Sequence, residues 1–281
     1  MSKKMCPKEV IAALKNTIGD SRLKKMNLIW LEACGCSGNI ISLLNANDPD
    51  VGYLLTEMVK ITYNNSIMAQ QGQEAVESFL ETLDTEFILV VEGAVTTRDN
   101  GIYNIIAEYN GKLLSGAEAI SLAAGKAKYV IAVGTCASYG GPTATKPNPS
   151  SSTSVPDYLG TEVIRVPGCP ANPHWVISTI AHLILFGLPE LDTEKRPVFL
   201  YGDTIHTYCS RRSFFDQNIF ATKLGDKECY FKLGCKGPMT KADCPLRKWN
   251  DRVNWPVEDN TPCIGCTEKG FPDETEPFVK F

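Results

Sequence analysis

This sequence has no large excess of charge of either sign, no long apolar run and no apolar segment near its first residues. It has 28 Lys and Arg against 32 Asp and Glu, which gives a formal net charge of −4. Without a basic excess, binding to nucleic acid or another polyanion is not expected. The most apolar stretch, 175–188, is interrupted by Ser, Thr, His and Gly. It falls short of the roughly 18 apolar residues of a transmembrane helix, so no membrane span is predicted.

The amino-terminal residues MSKKMCPKEV lack the apolar segment of a secretory signal. We therefore expect a cytoplasmic location, or a periplasmic one if the chain is processed. Disulfides are rare in a reducing cytoplasm, so the eleven cysteines of the sequence indicate metal or cluster ligands. Cys6, which precedes the first predicted helix, is expected to be a free thiol.

Apolar runs alternate with amphipathic segments over most of the chain. The short apolar runs predict strands at 26–31, 87–91, 129–133, 163–166 and 198–201. Helical spacing of apolar residues predicts helices at 7–18, 40–44, 51–61, 73–83, 117–127 and 175–186. Such an alternation is typical of an α/β fold in which helices cover both faces of a parallel sheet. The Pro-, Ser- and Thr-rich stretch 142–156 is expected to be an exposed loop.

The apolar periodicity fades after about residue 202, and more than half of the cysteines lie beyond that point. Such a segment has too little core to fold unaided, so metal ligation must hold it together. We therefore divide the chain into an N-terminal helical arm (1–25), a sheet domain (26–195) and a small irregular domain (196–281).

Four cysteines follow strands of the predicted sheet. Cys34 and Cys36 follow the first strand, Cys136 follows the third and Cys169 the fourth. Because the carboxyl ends of parallel strands meet at one edge of a sheet, these side chains are predicted to converge on one site. Neighbouring glycines let the backbone approach closely, so that N–H groups can reach cluster sulfurs. The alternative is that Cys136 and Cys169 are small core residues.

A second set of candidate ligands lies towards the end of the chain. Its members are His206, Cys209, Cys229, Cys235, Cys244, Cys263 and Cys266. Two residues separate His206 from Cys209 and Cys263 from Cys266, which is a metal-ligand spacing. A zinc site is one interpretation. The set holds more ligands than one zinc ion takes, however, and clustered soft ligands favour two iron–sulfur centres.

Seven motifs occur in a fixed order along the chain. They are WLEACGCSGN (30–39), VGTCASYGG (133–141), VPGCPANP (166–173), HTYCSRRSFF (206–215), LGCKGPMTKADCP (233–245), NWPV (254–257) and PCIGC (262–266). Together they resemble the small, electron-transferring subunit of NiFe hydrogenases over nearly the whole chain from about residue 26. In that family a flavodoxin-like domain precedes an iron–sulfur cluster-binding domain, which agrees with the division above.

The resemblance implies three clusters. A proximal 4Fe–4S cluster would be held by Cys34, Cys36, Cys136 and Cys169. A distal 4Fe–4S cluster would be held by His206, Cys209, Cys229 and Cys235. A medial 3Fe–4S cluster would be held by Cys244, Cys263 and Cys266. These assignments use every cysteine of the sequence except Cys6.

The first loop departs from the family pattern, which has CxxC where this chain has Cys34-Gly35-Cys36. Cys36 matches the second family cysteine and Ala33 stands in place of the first. Cys34 therefore ligates by a changed loop path, or Glu32 supplies the fourth ligand. The NWPV motif keeps Pro256, where relatives with a four-iron medial cluster have a cysteine, and this implies three irons.

The resemblance implies that the chain is an electron carrier without catalytic residues of its own. Hydrogen would be split at the nickel–iron site of a large subunit, and a soluble carrier such as a ferredoxin or cytochrome would receive the electrons. Cationic side chains near the distal ligands would either attract an acidic carrier or only solvate the surface; these are Arg211, Arg212, Lys232 and Lys236. His174 and His182 are expected to pack or to form hydrogen bonds, not to ligate.

Two other functions stay open at this point. A small subunit of a complex I-like or F420-linked assembly shares the proximal-cluster domain, although the domain that contains His206 favours the hydrogenase. A zinc-stapled binding module would do no redox work. Colour separates the last alternative, because a zinc protein is colourless and an iron–sulfur protein is brown.

Overall fold

The computed structural model describes residues 7–17 and 25–272. Its strands are β1 (Met26–Glu32), β2 (Val59–Asn64), β3 (Phe87–Glu92), β4 (Val95–Thr96), β5 (Ile105–Tyr109), β6 (Lys112–Ser115), β7 (Tyr129–Val133), β8 (Ser152–Thr153) and β9 (Ile164–Val166). Its α-helices are α1 (Pro7–Thr17), α2 (Gly38–Leu44), α3 (Val51–Tyr53), α4 (Gly72–Thr82), α5 (Gly116–Ala124), α6 (Gly134–Tyr139), α7 (Gly141–Ala144), α8 (Val155–Leu159), α9 (Pro173–Phe186), α10 (Val198–Tyr201), α11 (Arg212–Asp216) and α12 (Cys244–Arg247).

Five parallel strands form the central sheet in the order β2-β1-β3-β7-β9. Counted among themselves, these strands lie in the order 2-1-3-4-5, which is the doubly wound order of flavodoxin-like folds. In that arrangement ligands bind at the carboxyl ends of the strands, where the strand order reverses. The predicted α/β fold with a parallel sheet is confirmed.

Alternate side chains of the sheet face two separate apolar cores. Leu28 and Trp30 of β1 point into the core that contains α9, whereas Ile29 and Leu31 point into the core that contains α4 and α5. All four side chains are fully buried or nearly so. Because both faces are covered, the strands read as continuous apolar runs in the sequence.

The helix predicted over 51–61 is wrong only in its last three residues, which belong to a strand. Helix α3 and one wide π-helical turn, Leu54–Met58, are followed by β2, which pairs in parallel with β1. The apolar residues of this stretch fit a helical period, but Val59, Ile61 and Thr62 are β-branched and favour a strand. Pairing with β1 decides the structure, and β2 becomes an edge of the sheet.

The strand predicted over 198–201 is also wrong, because α10 occupies these residues. Pro197 precedes them and its carbonyl accepts hydrogen bonds from the N–H groups of Leu200 (3.0 Å) and Tyr201 (3.0 Å). The turn buries both of these side chains in the core below the sheet. A buried apolar run of four residues is compatible with either structure, so the pattern alone does not separate them.

Two further segments differ from the expected picture. The 142–156 stretch is not a plain exposed loop, since β8 pairs with β4 and Ser152, Ser154 and Val155 are buried. Helix α1 packs against α9, with Val10 fully buried in the core.

Among the residues that the structure describes, no helix is long and apolar enough to cross a membrane.

The residues after α10 form short helices and turns that pack onto the α9 side of the sheet. Tyr230, Trp255 and Val257 belong to the same core as α9. Arg196 fastens this part to the sheet, because its buried guanidinium lies 2.9 Å from Asp192 and 3.1 Å from Glu268. The irregular segment is therefore held against the sheet at a defined position.

Candidate metal centres

The first four candidate ligands lie at the carboxyl edge of the sheet, as expected. Cys34 and Cys36 follow β1, Cys136 lies in α6 directly after β7, and Cys169 follows β9. Burial raises the pKa of Cys169 to about 12, and the nearby thiolates of Cys136 and Cys36 add to the shift. The pKa of Cys136 is also raised, first by burial and then by Cys36 and Cys34. The structure thus brings these thiols into one group, which we call the proximal group.

The loop that carries Cys34 is pinned to the end of β3. The N–H of Cys34 donates to the carbonyl of Ala94 (3.0 Å), and the N–H of Ala94 donates back (2.8 Å). Gly93, which directly precedes Ala94, has a φ of +88°, and a Cβ on Gly93 would lie 2.8 Å from the carbonyl carbon of Cys34. This contact fixes Cys34 beside Cys136, while Cys36 and Cys169 are exposed at the open edge of the group.

Glu32, the other candidate for the fourth proximal ligand, lies at the end of β1 beside Glu92 of β3. Its Oε2 accepts a hydrogen bond from Ser37 Oγ (2.7 Å), and its Oε1 is buried without a hydrogen-bond partner among the described residues. Burial raises the pKa of Glu92, whose carboxylate accepts hydrogen bonds from Trp30 and Asn39. These interactions place Glu32 next to the loop that carries Cys34 and Cys36. Glu32 and Cys34 are therefore both candidates for the fourth proximal ligand.

His206, Cys209, Cys229 and Cys235 line one small cavity, and we call them the distal group. Cys209 follows the 3-10 turn Ile205–Tyr208, whereas Cys229 precedes a second such turn, Tyr230–Leu233. The Nε2 of His206 is buried without a partner among the described residues. Burial lowers the pKa of His206, so the ring is neutral and can ligate a metal.

Cys244, Cys263 and Cys266 form the medial group. They line an apolar cavity of about 280 Å³ together with Cys169, Trp249, Trp255 and Pro256. Burial raises the pKa of Cys263 to about 12 and raises that of Cys244 well above its usual value. Buried thiols with such pKa values ionise when a metal centre supplies positive charge.

Close contacts connect the three groups in series. The backbone N–H of Cys169 in the proximal group faces the thiol of Cys266 in the medial group and acts to lower its pKa. The N–H of Cys263 in the medial group donates to Cys235 Sγ in the distal group (3.3 Å). The hydroxyl of Thr135, next to Cys136, donates to the carbonyl of Cys266. The order of the groups is therefore proximal, medial, distal.

Several side chains near the sulfurs were not predicted from the sequence. Thr143 Oγ1 donates to Cys136 Sγ (3.2 Å). The side chains of Trp249 and Thr240 lie near Cys244 and Cys263 and act to lower the pKa values of these thiols. Such donors stabilise negative charge on sulfur. No ligand spacing identifies them, and only the glycine pair before Thr143 indicates that the chain turns back there.

Arg211 does not fit the predicted role of steering a carrier. The residue is 8% exposed, and its guanidinium donates to the carbonyls of Asp226 (2.5 Å) and Glu228 (2.8 Å). It also stacks 4.2 Å from the ring of Tyr230. Arg211 is consequently a structural residue that holds the distal loops together.

The remaining histidines form hydrogen bonds outside the three groups. His174 Nε2 lies 3.2 Å from Asn47 Oδ1, and His182 Nδ1 lies 2.9 Å from the carbonyl of Gly187. His182 also stacks on Phe199. The prediction that both residues pack or form hydrogen bonds is confirmed.

The donor set fits iron–sulfur clusters. Thiolates and one imidazole select soft transition metals, and three of the cysteines, Cys229, Cys244 and Cys263, are buried. Ten free cysteines belong to the described residues; Cys6 lies outside them. Within the described residues, no three His, Cys, Asp or Glu side chains lie close enough to hold a single metal ion.

Two family models match consecutive parts of the chain. The model of the NADH ubiquinone oxidoreductase 20 kDa subunit matches residues 36–183. The model of the C-terminal domain of the NiFe/NiFeSe hydrogenase small subunit matches residues 201–279. The first match covers four of the five strands of the central sheet and Cys36, Cys136 and Cys169 of the proximal group, and the second covers the medial and distal groups.

Curated relatives and solved structures match the chain along most of its length. The periplasmic NiFeSe hydrogenase small subunit of Desulfomicrobium baculatum is 37% identical over 91% of this chain and 87% of its own. The Hydrogenase-2 small chain of Escherichia coli is 39% identical over 87% of this chain and 67% of its own.

Among solved structures, the H₂-activated NiFeSe hydrogenase of D. baculatum superposes with a TM-score of 0.85 and 36% identity, covering 91% of this chain and 99% of that one. The actinobacterial-type NiFe hydrogenase of Ralstonia eutropha gives a TM-score of 0.85 at 29% identity, covering 95% and 85%. This chain belongs to the family of NiFe and NiFeSe hydrogenase small subunits.

Proposed function

We propose that this chain conducts electrons between a hydrogen-converting large subunit and an external redox partner. The observation that carries the proposal is the series of three thiol groups. Thr135, beside Cys136 of the proximal group, donates to the carbonyl of Cys266 in the medial group, and the N–H of Cys263 in the medial group donates to Cys235 Sγ in the distal group. Such contacts provide a short path for electrons between neighbouring centres. A complex I-like or F420-linked assembly is not favoured, because the hydrogenase model matches the segment that contains the medial and distal groups.

The proximal and distal groups would each hold a 4Fe–4S cluster and the medial group a 3Fe–4S cluster. When bound, the clusters supply sites that accept and release one electron at a time. The chain's own residues hold them in order, exclude water and donate hydrogen bonds to their sulfurs. Pro256 lines the medial cavity without offering a ligand atom, which supports three irons in the medial cluster.

The exposed edge of the proximal group supports docking of the large subunit there. Cys36 and Cys169 are exposed, and Ile41 and Leu44 of the adjacent helix α2 are 56% and 48% exposed. Apolar side chains beside an open ligand site are expected at an obligate interface. The large subunit would then receive or donate electrons at the proximal cluster.

The surface beside the distal group supports docking of a soluble carrier such as a ferredoxin or cytochrome. Phe231 is 42% exposed and borders the distal cavity. Lys232 is exposed and lies 5.0 Å from the ring of Phe220, and Arg212 is exposed although it pairs with Asp216 (3.3 Å). A carrier with acidic side chains around an apolar centre would complement this surface.

Metal analysis of the anaerobically purified complex tests the proposal. Iron, acid-labile sulfide, nickel and zinc are measured on one sample. We expect about 11 cluster irons per chain from two four-iron clusters and one three-iron cluster. About 12 would replace the medial assignment by a four-iron cluster, and zinc in place of iron would overturn the electron-transfer function.

The uncertain proximal ligand is tested by a pair of variants. Cys34→Ser removes a thiol that neighbours Cys136, whereas Cys6→Ser removes the cysteine that has no assigned cluster. If Cys34 is a ligand, only the first variant loses iron, by up to about four atoms per chain. Equal iron contents would exclude Cys34 and leave Glu32 as the candidate.

The location of the protein is tested by cell fractionation. The sequence leads to a cytoplasmic expectation, whereas the D. baculatum relative is named periplasmic. Recovery with a cytoplasmic marker enzyme supports the expectation, and recovery with the periplasmic fraction replaces it.

A further inference from the structure

Thr143 is the side chain that contacts the proximal group from outside the set of ligands. Its hydroxyl oxygen lies 3.2 Å from Cys136 Sγ and 3.3 Å from the carbonyl oxygen of Cys34. Its backbone N–H also faces this sulfur and acts to lower the pKa of Cys136. One residue thus offers two donors to one sulfur and touches the backbone of the first cysteine loop.

The backbone around Thr143 leaves little freedom to place it elsewhere. Gly140 and Gly141 have φ values of +88° and +47°, which turn the chain back over α6. A Cβ on Gly141 would lie 2.9 Å from the nitrogen of Cys136. Because this approach requires glycine, helix α7 is held against α6 with Thr143 above the Cys136 sulfur.

The single hydroxyl proton has two acceptors within reach, and the sulfur is the better one. The carbonyl of Cys34 already accepts a hydrogen bond from the N–H of Ala94 (2.8 Å). A thiolate carries negative charge, and hydrogen bonds to charged acceptors are roughly twice as strong as neutral ones. The proton of Thr143 therefore points at Cys136 Sγ whenever that sulfur is ionised.

We propose that Thr143 is a positioning residue that raises the reduction potential of the proximal centre through its hydrogen bond to Cys136 Sγ. Reduction adds negative charge that is shared by the ligand sulfurs, so a donor to sulfur stabilises the reduced form more than the oxidised form. A higher proximal potential favours electron transfer from the large subunit into this chain. The inference rests on the proposed function, because it requires a cluster at the proximal group.

Redox titration followed by electron paramagnetic resonance tests this role in the intact complex. Thr143→Val removes the hydroxyl and keeps the N–H, and Thr143→Ser keeps both donors. Thr145→Val is the matched control, since Thr145 Oγ1 donates to the carbonyl of Gly141 (3.1 Å) in the same turn. We expect a more negative proximal midpoint potential in Thr143→Val alone, with unchanged medial and distal potentials.

The possible results separate this inference from the proposed function. An unchanged or more positive proximal potential in Thr143→Val, at full iron content, would overturn the role of Thr143 and leave the three-cluster assignment intact. A wild-type complex without clusters would overturn both.

A measurement on the wild type covers the case in which Thr143→Val fails to assemble. After exchange into deuterated water, pulsed resonance of the reduced proximal centre should detect a strongly coupled exchangeable deuteron, which the hydroxyl of Thr143 supplies. A reduced centre without such a deuteron would overturn the inference.

Discussion

Burial determines the chemistry of the individual cysteine side chains. Burial removes the thiols of Cys244 and Cys263 from water, which raises the pKa of Cys263 to about 12 and that of Cys244 well above its usual value. At neutral pH such thiols are protonated unless a cation compensates the charge. The same burial that prevents ionisation of the free thiols therefore makes these positions dependent on a metal centre.

Pro256 is the residue that would set the iron content of the medial group. It lines the medial cavity beside Cys263 and Cys266. Pro256→Cys would offer a fourth thiolate, so we expect a four-iron medial cluster and about one additional iron per chain. Iron analysis and loss of the three-iron resonance measure the change, and Pro256→Ala serves as the control. Equal iron contents in the two variants would contradict the position of Pro256 in the cavity.

His174 makes the stability of the chain depend on pH. Burial and the charges of Arg247 and Arg252 lower its pKa from 6.5 to about 4, and its Nε2 lies 3.2 Å from Asn47. As the pH falls, His174 is protonated near pH 6.5 in the unfolded state but only near pH 4 in the folded state. Folding is favoured above this window and is progressively destabilised as the pH falls through it.

A comparison with His174→Gln isolates this contribution. Between pH 7.5 and pH 5 the wild type should lose about 2 kcal/mol more of its free energy of unfolding than the variant. Denaturant unfolding at both pH values provides the measurement. A variant that loses as much stability as the wild type would show that His174 does not carry this pH dependence.

The helices and loops that carry the candidate ligands are short, and the turns that connect them depend on glycine. Helix α7 follows α6 through Gly140 and Gly141, whose φ values are positive. The loop after β3 approaches Cys34 through Gly93. These turns, more than the strands, determine which sulfurs meet at the proximal group.

Gly141→Ala tests this dependence at the level of one turn. The new Cβ would lie 2.9 Å from the nitrogen of Cys136, whereas a Cβ at Gly160, which also has a positive φ (+64°), meets nothing within 4 Å. Gly160→Ala should cost about 1–2 kcal/mol through backbone strain alone. Gly141→Ala should cost more and also lower the proximal iron content. Equal thermal unfolding temperatures and iron contents would contradict this account.

The strands and ligands that the sequence predicts are those with a strong local pattern. Strands β1, β3, β7 and β9 are buried on both faces and appear as apolar runs. The first half of strand β2 falls in the helix predicted over 51–61, because its apolar residues continue the period of the preceding turn, and only pairing with β1 reveals the strand. Likewise, Thr143 reaches Cys136 through a tertiary contact that no spacing encodes.

The whole molecule consists of a sheet and an irregular segment that share one core. The buried side chain of Arg196, which is 2% exposed, joins these two parts. It forms ion pairs with Asp192 and Glu268 and donates a hydrogen bond to the carbonyl of Thr267 (3.3 Å). Thr267 directly follows Cys266 of the medial group. The junction therefore also fixes one end of the medial group.

Arg196→Met should destabilise the whole chain. Removing one partner of a buried ionic network leaves carboxylates without compensation and costs about 3–5 kcal/mol. Lys126→Met is the control, because its pair with Asp84 (2.8 Å) is exposed and such pairs contribute about 0–1 kcal/mol. Thermal unfolding of the purified complexes compares the two, and similar unfolding temperatures would refute the structural role of Arg196.

Electron paramagnetic resonance during a redox titration of the purified complex tests the central claim most directly. Three centres in series predict a three-iron signal of about one spin per chain in the oxidised protein and two reduced four-iron signals at low potential. All three should respond to hydrogen when the large subunit is present. A complex that contains iron-free chains, or only one of the three centres, would contradict the account.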